Sequence, residues 1–221
     1  MSKRFDQYCP VAHALSLVGE RWALLIVREL LRGPKRYTDI ADGLPGIPTN
    51  ILASRLRDLE GAGVVQKRKL PPPAASTVYE LTEYGQGLEE PVYALARWGA
   101  RSLGPPKRED ELYPEWGLNA FSAIFNAGEA KGLTETYVIK VDDDVFTARI
   151  VDGTLESSCG TADDADLVVE TDKETFFLLC AGEVEPVAAA KSGRVRYEGD
   201  RAVLERCFRV LSFSARTPAA A

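Results

Sequence analysis

The pattern of apolar positions is clearest in one short stretch, PTNILASRLRDLEGAG, residues 48–63. Leu52, Leu56 and Leu59 recur at i, i+4 and i+7, which gathers them on one side of a helix. Asn50, Ser54 and Arg57 fall opposite, flanked by Ala53, where a merely solvated face would hold more Glu and Lys. Upstream, residues 11–18 are spaced as a short helix after Cys9-Pro10, broken at Gly19. RWALLIVRELLRG predicts a second, strongly apolar helix, with Trp22, Leu25, Ile26, Leu30 and Leu31 available to a core and Gly33-Pro34 as its stop. RYTDIADGL predicts a short helix capped by Thr38, and Pro45-Gly46-Ile47-Pro48 the turn that follows it.

After Gly63 the period changes. VVQKRKL and TVYELT are β-rich runs separated by PPPAAS, the pattern of a hairpin with a stiff tip. EYGQGLEEPVYALARWGARSL returns to helical spacing through Leu88, Val92, Leu95 and Trp98, with Pro91 expected to kink or split it. GPPKREDEL has little to bury and reads as a linker. Beyond it, a helix GLNAFSAIFNAG leads into strands ETYVIKVDD, VFTARIVDG and DLVVETD. Helices KETFFLLCAG and VEPVAAAKSG, a strand RVRYEGD and a last helix RAVLERCFRVLSF complete an α+β pattern. The expected division is a first domain over 1–104, a linker over 105–115, a second domain over 116–214 and a disordered tail over 215–221.

Charge changes the picture only once it is divided. The chain carries 27 Lys+Arg against 33 Asp+Glu, a net charge of −6 that argues against nucleic acid. The first 104 residues hold 14 Lys+Arg against 11 Asp+Glu, a balance of +3, while the remainder holds 13 against 22, or −9. The acidity belongs to the second half, and the first is permissive for DNA. MSKRFDQYCP lacks the apolar core of a signal peptide, and no apolar run approaches the roughly 20 residues that span a bilayer. The expected setting is cytoplasmic, without a membrane partner. Cys9, Cys159, Cys180 and Cys207 are scattered with no CxxC pair, so neither a metal site, a cofactor nor a disulfide scaffold is expected.

Three helices, a hairpin and a further helix are the element order of a winged helix, in which the helices from Thr38 and Pro48 form a helix-turn-helix and the second enters the major groove. Ala53 and Ser54 are small enough to let that backbone approach base edges. Asn50 can pair bidentately with adenine, and Arg57 can reach guanine or a phosphate. The helix N-terminus at Thr49 offers unpaired N–H groups to a phosphate, and Arg36 and Tyr37 are placed to hold another. Lys67, Arg68 and Lys69 lie consecutively on the first strand of the hairpin, so the wing presents charge on each face to the DNA backbone. The markers from Cys9 to Gly99 are dense. They comprise the Cys-Pro opening, Gly-x-x-Trp, Gly-Pro before an aromatic, the Leu-Pro-Gly-Ile turn, RLRDLEGAG and YELTEYG. This stretch resembles the HxlR family of bacterial winged-helix transcriptional regulators. The resemblance implies a homodimer built through the N- and C-terminal helices, reading a pseudo-palindromic operator in double-stranded DNA.

The second half has its own resemblance. An aspartate-led strand, an aromatic helix ending in Ala-Gly, a Pro-led helix and Ser-Gly-x-Val-x-x-x-Gly-Asp make DADLVVETDKETFFLLCAGEVEPVAAAKSGRVRYEGD similar to the sterol-carrier-protein-like fold. Proteins of that fold often enclose an apolar cavity between a sheet and its helices. Phe121, Ile124, Phe125, Phe176, Phe177, Leu179, Phe208 and Leu211 are its candidate wall here, for a small apolar effector. The same residues at helical spacing also read simply as core.

Two other chemistries are weighed against this. Cys9, beside a helix start, is a redox candidate able to react as thiolate, as a cysteine near this position does in some HxlR proteins; alternatively it packs as a small hydrophobe. Catalysis has little material: His13 is the single histidine, and Asp142-Asp143-Asp144 and Asp163-Asp164 fall in predicted turns facing water. A regulator and not an enzyme is expected, with a small-molecule or lipid carrier as the rival.

Overall fold

The computed structural model describes residues 5–72, 75–105 and 114–212. Most of the expected linker, the expected tail and part of the wing tip lie outside the described residues. Helices α1 (Pro10–Val18), α2 (Ala23–Leu30), α3 (Tyr37–Asp42) and α4 (Thr49–Gly61) come first. Antiparallel strands β1 (Val65–Lys69) and β2 (Thr77–Leu81), a short α5 (Glu83–Gln86) and α6 (Glu89–Leu103) follow. The chain divides into two compact units, Met1–Val92 and Tyr93–Ala221, with the division inside α6.

Local chemistry explains several boundaries in the first unit. Pro10 occupies the first turn of α1, where its missing N–H has no acceptor to lose. Trp22 sits at φ 80, so α2 begins at Ala23 rather than at the Arg21 that the apolar pattern suggested. The short helix opens one residue before Thr38: Asp39 Oδ2 accepts from the Arg36 backbone N–H at 3.0 Å and holds the first turn. Pro91 neither kinks nor splits a helix. The break comes at Gly87-Leu88, and Pro91 falls in the first turn of α6.

Leu52, Leu56 and Leu59 of α4 are buried in one core with Ile26, Leu30, Ile40, Leu44 and Val65. At the other end, Gly63 N–H donates to Glu60 O at 3.1 Å and Val64 N–H to Leu59 O at 2.9 Å, a Schellman turn that needs the left-handed φ of 70 at Gly63. Thr82 Oγ1 accepts from Gly85 N–H at 3.0 Å and donates to Gly63 O at 2.6 Å, tying the start of α5 to the end of α4. Those bonds give the YELTEYG motif its threonine.

The second unit contains α7 (Pro114–Ile124), β3 (Glu135–Val141), β4 (Asp144–Val151), β5 (Thr154–Cys159) and β6 (Leu167–Thr171), then α8 (Lys173–Cys180), α9 (Pro186–Lys191), β7 (Val195–Gly199) and α10 (Arg201–Val210). Its sheet runs β5-β4-β3-β6-β7, with β3 and β6 parallel and the other pairs antiparallel. Strand β5, TLESSC, was not expected; it is a largely exposed edge with little apolar pattern. One face of the sheet, through Tyr137, Ile139, Phe146, Ala148, Leu167 and Val169, packs with residues of α7, α8, α9 and α10.

The connection from β5 to β6 must pass two strands. Thr147 Oγ1 donates to Gly160 O at 2.8 Å, Arg149 takes both oxygens of Asp164 at 2.7 and 2.8 Å, and Asp166 Oδ2 accepts from Thr136 N–H at 2.8 Å. The side chains of Thr147 and Arg149 point to the face away from the helices, so residues 160–166 run across it as a strap that ends at the edge of β3 beside Thr136, and Thr136, Val138 and Thr147 are buried there. Asp164 faces water, as expected, and pairs there with Arg149. Among the described residues no single helix is long and apolar enough to cross a membrane.

Candidate nucleic-acid interface

Helix α4 is divided sharply. Its leucines are buried, Asn50 and Arg57 are exposed, and Ala53 and Ser54 are half-buried between them. Thr49 is exposed in the first turn, and Pro48 at the N-cap supplies no side-chain acceptor, so the first N–H groups keep no capping oxygen. Asp58, which could oppose a phosphate, is taken up by Arg55 at 2.6 Å, and Arg55 also reaches Glu20 at 3.3 Å. Arg57 has no ion pair among the described residues.

The residues before α4 divide their duties. Arg36 is exposed. Tyr37 packs against the core and its hydroxyl donates to Thr49 O at 2.8 Å, so it holds the start of α4 rather than standing free for a phosphate. Thr38 donates to Asp39 Oδ1 at 3.2 Å.

On the wing, the period of two sends Lys67 and Lys69 to one face and Arg68 to the other. Lys67 lies 2.9 Å from Glu60 of α4 and 5.5 Å from the centre of the Tyr79 ring. The Glu60 carboxylate, then Tyr79, raises the Lys67 ammonium above its usual value. Arg68 bonds Glu80 at 2.8 Å, and with Gln66 it holds that carboxyl below the usual range. Lys69 is exposed and has no ion pair among the described residues. The expected wing cations are therefore on the surface, two of them already on carboxylates.

Residues 17–107 match the family described as HxlR-like helix-turn-helix. Over 98 residues the chain is 36% identical to the HTH-type transcriptional regulator YodB of Bacillus subtilis, 44% of this chain and 88% of that protein. The chain belongs to the HxlR family. It is also 40% identical over 110 residues to the uncharacterised HTH-type transcriptional regulator Mb3122 of Mycobacterium bovis, 48% of this chain and 68% of that one. Among solved structures, the reduced form of YodB aligns at 34% identity with a TM-score of 0.39, covering 46% of this chain and 100% of that chain. This HxlR protein is a DNA-binding transcriptional regulator. Its residues 106–216 match the family described as alkyl sulfatase C-terminal, half of the chain, and belong to it. The sterol-carrier-like resemblance falls on this same separate α+β unit.

In the HxlR unit, sequence reasoning missed a buried ionic cluster. Glu29, 2% exposed, accepts from Arg28 at 2.7 Å and from Lys35 at 2.9 Å. A glutamate inside RWALLIVRELLRG reads as an exposed face of that helix. The signal was the pair of cations beside it and Gly43, where a Cβ would collide with Glu29 Oε2.

The proposed effector wall is packed. Phe121, Ile124, Leu179, Phe208 and Leu211 are buried, and Phe125 and Phe176 lie against them; Phe177 is half-buried on α8. Phe121 meets Phe146 at 5.5 Å and Phe176 at 5.8 Å, and Phe176 meets Phe208 at 6.2 Å, all edge to face. Of the cysteines, Cys180 and Cys207 are buried, and burial pushes both thiols well up. Cys9 is half-buried at the N-cap of α1 and borders an open surface cleft with Phe5, Tyr8 and His13, all three of them exposed. Among the described residues no group of His, Cys, Asp and Glu gathers as metal ligands would.

Proposed function

We propose that this HxlR regulator acts as a homodimer on a pseudo-palindromic operator, with α4 in the major groove and the wing along the backbone. The observation that carries the reading is the division of α4: three leucines in the core, with Asn50 and Arg57 outward on the same helix. Asn50, Ser54 and Arg57 read bases, with Ala53 giving clearance. Arg36, the N-terminus at Thr49, and Lys67, Arg68 and Lys69 meet phosphates, while Tyr37 and Thr38 set the entry to the helix. Supporting the dimer, Val11 and Leu15 of α1 and Leu95, Trp98 and Leu103 of α6 are exposed apolar side chains of a kind that interfaces cover. Two recognition helices one DNA turn apart require half-sites about 10 bp apart. Selection of a duplex from a random pool, followed by gel shift, tests this. Saturable binding to a two-fold-related site is expected, and no binding at low salt would favour the carrier reading.

The second unit is proposed to bind a small apolar effector that changes DNA affinity. Its support is an aromatic core in a unit of a different family from the DNA-binding one, with Phe125 and Phe176 as its half-buried members. Calorimetric screening of apolar metabolites that finds no binder would count against it. The place of Cys9 beside an open cleft at a helix start, within reach of solvent, favours a second reading, regulation by oxidation. A Cys9→Ser protein that still loses DNA affinity on mild oxidation removes it.

A further inference from the structure

A two-stranded hairpin is marginal on its own, so the wing must be held by the rest of its unit to meet DNA in a fixed place. Three contacts converge on that task. Lys35 pairs its backbone with Tyr79 in both directions, N–H to O at 2.9 Å and O from N–H at 2.7 Å, which makes it a third, one-residue strand on the wing. Its ammonium reaches back to Glu29 Oε2 at 2.9 Å. On the other oxygen, Arg28 Nη2 donates to Glu29 at 2.7 Å and to Gly43 O at 3.3 Å, the C-cap of α3 where the turn toward α4 begins.

We propose that Glu29 is the positioning residue that sets the wing against the helix-turn-helix, so that the outward face of α4 and the cations of β1 meet one duplex together. The inference rests on the DNA-binding reading above. Its side chain is 1% exposed, and a carboxylate so buried is kept only where fixed partners replace water. Lys35 joins the carboxylate to the wing, and Arg28, its neighbour on α2, carries the link on to Gly43 O at the end of α3. Val65 and Leu81 root the wing in the same core as the leucines of α4, while the one printed ion pair from β1 to α4, Lys67 to Glu60, is exposed at both ends and holds position weakly. Glu29 touches no DNA in this arrangement; it acts through Lys35 and Arg28.

The test compares the full-length wild type with Glu29→Gln and Lys35→Met, on a duplex that the wild type selects from a random pool and on an unselected duplex. The second variant leaves the Arg28–Glu29 pair in place and so guards against Glu29→Gln failing to fold. Both variants are expected to keep the base preference, to bind the selected duplex about tenfold more weakly, and to flatten the slope of log K against log salt by roughly 1–2. Amides of Tyr79 and Lys35 exchange with deuterium faster than in the wild type, while those of α4 keep their protection. Wild-type affinity and slope in both variants overturn the inference. So does loss of protection in the wing and α4 together, which marks the carboxylate as general support for the unit. A wild type that selects no duplex sinks the DNA-binding reading instead, and the exchange comparison then still decides whether Glu29 holds the wing.

Discussion

Each unit sets a glutamate against an arginine, fully buried in the first and half-buried in the second, and the two clusters serve different ends. In the first, Glu29 joins Arg28 and Lys35, and the segments it fastens carry Asn50, Arg57 and Lys69 outward. In the second, Glu135 at the start of β3 takes Arg206 of α10 and the hydroxyl of Tyr137, and the elements it fastens turn Ile139, Leu204 and Phe208 inward. Burial alone would raise the Glu135 carboxyl, but the Arg206 guanidinium and the Tyr137 hydroxyl hold it below its usual value. Burial and the Glu135 hydrogen bond push the Tyr137 phenol well up. A buried ion pair contributes little net stability but specifies where its partners sit. In the second unit that precision closes a core; in the first it aims a surface.

The sharpest way to break this contrast is to empty each core. Phe121→Ala should cost the second unit about 3–5 kcal/mol and Leu56→Ala the first about 2–5 kcal/mol, each moving its own transition in a calorimetric scan. Transitions that move together would mean that the units unfold as one. Next in size, Arg206→Met removes a charged hydrogen-bond partner and should cost the second unit about 1.5–3 kcal/mol at neutral pH. Because the folded pKa of Glu135 lies below the unfolded one, its stabilisation is complete above the unfolded value and is lost as pH falls through the folded value. Denaturant melts should therefore show the second unit weakening from about pH 4 downward, with a shallower acid dependence in Arg206→Met.

On the outward surface the expected effects are on binding alone. Asn50→Ala and Arg57→Ala should each cost about 1–3 kcal/mol on the selected duplex and relax the base preference, with the melting temperature unchanged. A melting shift of several degrees would place these side chains in the fold rather than at the interface. The smallest effect belongs to Lys69→Ala: every duplex bound a few-fold more weakly, with a salt slope reduced by about 1.

Much of this was legible in the chain because local rules and tertiary packing agree there. The leucine stripe of α4, the β-rich runs of the wing and the Gly63 stop each announce a structure that burial then confirms. What stayed hidden depends on distant partners. Glu29 reads as solvent-exposed until Lys35 and Gly43 fold against it. Strand β5 has too little apolar alternation to declare itself, because as an edge it is paired on one side and largely exposed. Pro91 reads as a helix breaker unless the helix is known to begin two residues earlier. The aromatic residues of the second unit fit both a core and a pocket wall, and spacing alone does not separate the two; edge-to-face packing is visible only in three dimensions.

The strap over residues 160–166 also has a consequence in time. Strands β3, β4 and β5 are joined by short turns and can pair as they leave the ribosome, but β3 acquires its parallel neighbour only when Leu167 arrives opposite Tyr137, thirty residues later. Until the strap closes that loop, one edge of β3 stands open, and long-range parallel pairing is the slow kind. The DNA-binding half of the chain is made first, needs no parallel strand pair, and reaches its final form earlier. During synthesis, therefore, the half that reads DNA is finished while the half behind it still exposes an unpaired strand.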